Sequence, residues 1–203
     1  MSSNYAVMEE QARILFMKYD LAQIARKWDL ESDDQAVYLP YFGKTCSIRK
    51  ADGKVFLPEK SRWGMREGTF GASLTIYDVL TYSSFVPSLS GRWESISSLG
   101  GIIGAGHEGS LTGDRNRFTT PPSLECMKKN LMAMGGIPSE RTTADLDYVV
   151  PVFPFLPMRF QYWEADDEFP ASLKYLWDAN TLQFMHYETL WYAMGDFDQM
   201  LAD

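Results

Sequence analysis

Four carboxylates stand within five positions of this chain: Glu164, Asp166, Asp167 and Glu168, in the run Trp163-Glu164-Ala165-Asp166-Asp167-Glu168-Phe169-Pro170-Ala171-Ser172. Carboxylate oxygens are the ligands of hard cations such as Mg²⁺ and Ca²⁺, so Asp167 and Glu168, with Asp178 ten positions on, are candidate metal ligands. Burial of one member of such a cluster would raise its pKa and suit it to proton transfer, which makes Asp166, Asp167 and Glu168 candidate catalytic groups. A second reading stays open beside these. Acids ahead of a proline are also what a helix N-terminus selects, and Ala171 to Trp177 has a helical spacing.

The other chemistry-bearing residues form weaker patterns. Gly104-Ala105-Gly106-His107-Glu108-Gly109 matches G-x-G-x-x-G, but the dinucleotide fingerprint needs a helix directly after it. Gly113, Pro121 and Pro122 do not permit one, so a flexible loop able to fold over a ligand is expected instead. The two histidines, His107 and His186, lie 79 positions apart and build no metal set by spacing; a hydrogen-bonded histidine is expected at each. Cys46 and Cys126 are too few for a disulfide framework, an all-cysteine zinc site or a four-cysteine cluster, and read as small buried hydrophobes. Neither G-x-S-x-G nor a Walker A sequence occurs. The sequence by itself names no reaction and no cofactor.

The elements that must position these residues read as follows. Tyr5, Met8, Ala12, Leu15, Phe16 and Tyr19 recur at helical spacing over 4–18, and Asp20 suits the N-cap of a second helix, Leu21 to Trp28. Val37, Leu39 and Tyr41 alternate as in a half-buried strand. Ala51-Asp52-Gly53 between Thr45–Arg49 and Lys54–Leu57 is a hairpin signal. Residues 58–71 read as loop, Ser73 to Tyr82 as a mostly buried helix, and 87–121 as Gly/Ser-rich and irregular, with short strands at best. Leu124 to Met134 is helical and stopped by Gly135-Gly136. Pro151, Pro154 and Pro157 split Tyr148 to Tyr162 into two short strands or one kinked edge strand. Ala171 to Trp177 and Tyr187 to Leu201 complete the helices. The expected class is α+β, one compact domain over 1–203, with short antiparallel strands and helices packed on the sheet.

The 203 residues carry 19 Lys+Arg against 27 Asp+Glu, a net charge of −8. That sign argues against nucleic acid. Residues 164–203 hold nine acids and one base, whereas 44–66 hold seven bases and two acids, a polarity that serves either internal pairing or an anionic ligand or basic partner. The 12 Phe, 11 Tyr and 6 Trp exclude a disordered chain. No apolar run reaches membrane-spanning length, and Glu9, Glu10, Arg13 and Lys18 interrupt any leader-like stretch, so the expected address is the cytoplasm, with no membrane contact.

Taken together, Trp163 to Asp178, read as W-x-x-D-D-E-F-P-A-S-x-x-x-L-x-D, with Ser90-Gly91-Arg92-Trp93 and the Gly-Gly after Met134, resembles an uncharacterised bacterial and archaeal family, domain of unknown function 3786. The likeness spans about residues 5–195, and the positions that match are Gly91, Trp93, Trp163, Asp167, Glu168, Phe169, Pro170 and Asp178. Members are associated with anaerobes, and some carry an iron–sulfur domain like that of corrinoid methyl-transfer proteins, for which this chain lacks the cysteines. The resemblance implies a shared fold and no established reaction, with a corrinoid or one-carbon setting by family association only. The expected function is a non-enzymatic ligand-binding or accessory domain, with Gly91, Arg92, Trp93, Trp163 and Phe169 bordering a cleft for a small molecule. The alternative is a metal-assisted hydrolase or transferase at 164–168. A protein partner and a homodimer are both compatible with the aromatic surface.

Overall fold

A computed structural model describes residues 4–59, 64–100, 122–140 and 143–202. Its elements confirm the α+β class: helices with two antiparallel sheets, grouped into two compact units. The first unit takes Met1–Ser88 and Gln183–Asp196, the second Leu89–Leu182 and Phe197–Asp203.

In the first unit, α1 (Asn4–Phe16) and α2 (Leu21–Trp28) precede a four-stranded sheet of β1 (Ala36–Tyr41), β2 (Lys44–Arg49), β3 (Val55–Pro58) and β4 (Met65–Glu67), in sequence order. Asp20 caps α2 as its side chain accepts from Ala22 N at 2.8 Å. The Asp-Gly turn joins β2 to β3, pairing Ser47 with Phe56 and Ile48 with Val55. Gly53 sits there at φ +75°, a conformation in which a Cβ would be strained, and Asp52 secures the turn through Arg49. That guanidinium also holds the Asp52 carboxyl down at about 2. Two of the seven bases of 44–66 are paired within the unit: Arg49 with Asp52, and Lys54 with Glu67 at 2.7 Å.

The stretch expected to be loop contributes β4 and the start of α3 (Phe70–Thr81), which begins three residues earlier than its spacing suggests. Thr69 is the reason, its hydroxyl accepting from Ala72 N at 3.1 Å as an N-cap. Val37, Leu39, Ile48 and Leu57 of the sheet and Ile76, Val79 and Leu80 of α3 are buried. The closing helix α5 (Tyr187–Ala202) supplies Leu190, Ala193 and Met194 to this unit's buried set, and Phe197 and Leu201 to that of the second.

The second unit is a five-stranded sheet in the order β5 (Trp93–Ser95), β9 (Ser172–Asp178), β8 (Leu156–Trp163), β7 (Leu146–Phe153), β6 (Ile137–Pro138). One expectation is overturned here: residues 172–178 form a strand and not a helix. Leu173, Tyr175 and Trp177 alternate along it against Tyr162, Phe160 and Met158 of β8. Partners on both sides outweigh the helical spacing that Leu173, Leu176 and Trp177 also satisfy. The two-strand reading of Tyr148 to Tyr162 holds, as a hairpin. Its prolines sit where a neighbour has ended: Pro151 lies past the β6 pairing, which stops at Val149, and Pro157 past the β9 pairing, which starts at Met158. Buried Asp147 on β7 takes a two-pronged bond from Arg159, both contacts at 2.7 Å, and one from Gln161. Helix α4 (Leu124–Ala133) is capped by Ser123 and ends where Gly136 N donates to Leu131 O at 2.8 Å. Of the Gly/Ser-rich segment, β5 and a helical stretch at 96–100 are seen; residues 101–121, with the G-x-G-x-x-G run and His107, lie outside the described residues.

Candidate functional site

The residues that carry the family likeness fall into two groups at opposite ends of β9. At its C-terminal end the buried Asp178 carboxylate accepts from Ser90 N at 2.9 Å, Gly91 N at 2.8 Å and Asn180 N at 2.8 Å. Burial pushes this carboxyl up, but the N–H bonds from Ser90, Asn180 and Gly91 together outweigh it and hold the group below its ordinary range. Ala179 N donates to Arg92 O, and Trp93 pairs with Asp178 across the sheet. Gly91 is at φ +75° with open space around it. Ser90 to Trp93 is therefore a turn built on the Asp178 carboxylate, and that carboxylate is engaged by the backbone. Arg92 is exposed, 3.8 Å from Glu94.

At the other end, Trp163 and Ser172 close the β8–β9 hairpin around an eight-residue loop, 164–171. The acids are not a helix start, because a strand follows them. Asp166 shapes the loop: its side chain accepts from Glu168 N at 2.8 Å and Phe169 N at 2.6 Å, and its N–H donates to Phe169 O. Asp145 accepts from Glu164 N. Glu164, Asp167, Glu168, Phe169 and Pro170 are exposed, and Lys174 stands 5.2 Å over the half-buried Trp163 ring. Among the described residues no three His, Cys, Asp or Glu side chains are grouped so as to hold a metal. Six residues of extended β9 separate the two groups, roughly 20 Å. Trp93 and Gly91 stand at one end and Trp163 and Phe169 at the other.

The first unit contains a constellation that the sequence did not single out. Asp78, in the last turn of α3, is half-buried and accepts from His186 Nδ1 at 2.6 Å, His186 N at 2.9 Å and Thr189 Oγ1 at 2.5 Å. A carboxylate only accepts, so Nδ1 carries the hydrogen of the neutral ring and Nε2 presents its lone pair. His186 is 63% exposed, with the Tyr82 ring edge-on to it at 4.4 Å between centroids. Next to Tyr82, the carbonyl of Ser83 accepts from Lys27 Nζ, whose pKa is lowered by burial. Trp28 Nε1 donates to Leu80 O at 3.1 Å, and Phe85 and Val86 are exposed apolar residues just beyond. The end of α3 thus carries an oriented imidazole, a cation and apolar surface.

Asp78 has a second task, which explains why the imidazole is held so firmly. Its carboxylate lies at the N-terminus of α5, where the free N–H groups and the helix dipole favour it; in the last turn of its own helix it would be unfavourable. The other end of the α3–α5 pair mirrors this. Asp196 of α5 accepts from Thr69 Oγ1 at 2.9 Å at the N-terminus of α3 and from buried Tyr41 Oη at 2.8 Å, and its Oδ1 would lie 3.1 Å from a Cβ on Gly71. Burial pushes Asp196 up, partly offset by the bonds from Tyr41 and Thr69 and by the charge of Arg66. The two antiparallel helices are pinned at both ends by each other's carboxylates. The one local signal for the Asp78 site was an acid where a helix C-terminus prefers a base.

Fold and site together define an α+β protein carrying a carboxylate-backed histidine. The chain belongs to the family described as a domain of unknown function, DUF3786, whose model matches residues 20–198. No curated protein and no solved structure matches it.

Proposed function

We propose that this protein binds a ligand rather than catalysing hydrolysis, and that His186 is the residue that receives it, as a single axial nitrogen for a metal held in a planar macrocycle. The observation that carries this reading is the Asp78–His186 pair. A metal-binding histidine characteristically donates its other N–H to a carboxylate, which fixes the tautomer and raises ligand basicity. One imidazole with no further ligands grouped around it among the described residues suits a metal that brings its own equatorial donors, as a corrinoid or haem does. Tyr82, Phe85 and Val86 offer apolar surface for the ring, and Lys27 a positive charge for its carboxylate or amide periphery. A corrinoid, one-carbon setting in anaerobic metabolism is the context that the family likeness suggests.

The test is a visible-absorbance titration with cobinamide, which lacks an internal base, and in parallel with haemin. The expected result is a saturable band shift for one of them. The shift is lost in His186→Ala and weakened about 10- to 100-fold in Asp78→Asn, the usual effect of removing an outer-shell carboxylate. No shift with either compound, or an unchanged shift in His186→Ala, overturns the proposal.

A further inference from the structure

The half-buried ammonium of Lys27 has no acid to balance it. Lys27 lies in the last turn of α2, donates to the Ser83 carbonyl just past the end of α3, and stands 4.6 Å over the Trp28 ring. A carbonyl, two helix C-termini and an aromatic face supply only partial negative charge. Among the described residues no carboxylate pairs with Lys27, and burial is the sole influence that moves its pKa. Other bases of the same unit are treated differently: Arg13, Arg49 and Lys54 each hold an acid at 2.5–2.7 Å. Of the three N–H donors of the ammonium, the structure uses one. Two contacts tie this cation to His186. Ser83 follows Tyr82, whose ring is edge-on to the imidazole at 4.4 Å. The Trp28 ring faces Phe184, two residues before His186, at 6.4 Å between centroids. Asp78, the acid of this site, is already occupied by His186 and Thr189.

We propose that Lys27 selects the ligand by charge: the molecule that His186 receives carries an anionic substituent at its edge, and Lys27 Nζ pairs with it. This rests on the reading of His186 as the axial nitrogen. An anion supplies the full counter-charge that the carbonyl and the Trp28 ring do not, through the N–H groups that the protein leaves to the ligand. A carboxylate on the ring and a phosphate on a pendant arm share this chemistry. A neutral, amide-edged ring makes the axial bond and the apolar contacts to Tyr82, Phe85 and Val86 but leaves the ammonium without its counter-ion.

Absorbance titrations with two matched pairs test this: haemin against its bis-methylamide, and cobinamide phosphate against cobinamide. In the pair whose ring binds, the anionic member is expected to bind about 5- to 10-fold tighter at low salt, a difference that shrinks at high salt. Lys27→Met, which keeps the apolar stem, is expected to abolish the preference while the neutral member binds as to wild type. Lys27→Arg keeps the preference, and Arg26→Met, one position away and exposed, leaves it unaltered. Equal wild-type affinity for both members of the pair overturns the proposal, as does a preference that is insensitive to salt, survives Lys27→Met or is lost equally in Arg26→Met. No band shift with any of the four compounds, or a shift that persists in His186→Ala, overturns the reading of His186 and the charge selection with it.

Discussion

Replacing Asp178 tests whether the Ser90-Gly91-Arg92-Trp93 motif is architecture. Three backbone N–H groups end on this carboxylate at 2.8–2.9 Å. A hydrogen bond to a charged group contributes about 1.5–3 kcal/mol, but Ser90 and Gly91 lie in an exposed turn where water replaces much of what is lost. The expected cost of Asp178→Ala is therefore about 3 kcal/mol rather than the full sum, a fall in Tm of roughly 6–12 °C for a chain of this size. Asp178→Asn should cost less, about 1–2 kcal/mol, because one amide oxygen can keep the Ser90 and Asn180 bonds, both made to Oδ1. The pH dependence has a definite sign. The folded-state pKa of Asp178 is depressed, so its contribution is present above the ordinary carboxylate pKa and disappears as pH falls through the folded value. Urea denaturation of wild type and Asp178→Asn from pH 7 downward should show the gap closing in acid. An Asp178→Ala chain as stable as wild type, or a gap independent of pH, refutes the reasoning.

Asp196 carries the opposite sign: its folded pKa is raised, so its contribution is present in acid and lost as pH rises through that value. The stability of Asp196→Asn relative to wild type should therefore improve from pH 4 to pH 7 in denaturant titrations. Gly136→Ala would put a Cβ 2.7 Å from Leu131 O, and should lower stability by about 1–3 kcal/mol in a thermal melt. Cys46 is buried, donates to Leu39 O, and has its thiol pushed up to about 12, so a thiol reagent at mild alkaline pH should label the half-buried Cys126 and spare Cys46 until the protein unfolds. Asp167→Asn with Glu168→Gln should change stability by no more than about 0.5 kcal/mol and leave Tm unresponsive to Mg²⁺ or Ca²⁺, as befits exposed loop carboxylates.

What was legible in the sequence was what neighbouring residues decide among themselves. The Asp52-Gly53 turn, the Asp20 cap and the Gly135-Gly136 stop are local devices, and each is found where its residue types place it. The segment 172–178 was not legible, because Leu173, Leu176 and Trp177 satisfy a helix while Leu173, Tyr175 and Trp177 satisfy a strand. Only the strands on either side, β8 and β5, decide between them. The same limit applies to chemistry. Carboxylate density along the chain drew attention to 164–168, yet a hairpin loop splays such groups into solvent. Asp78 and His186, 108 positions apart, meet only because α3 and α5 pack antiparallel.

The most direct test of the account is the electron paramagnetic resonance spectrum of cob(II)inamide bound to the protein, recorded with and without isotopically labelled histidine. The account predicts splitting from one axial nitrogen, a pattern that changes with the histidine label and is absent in His186→Ala. A spectrum without axial nitrogen, or one that persists in His186→Ala, contradicts it.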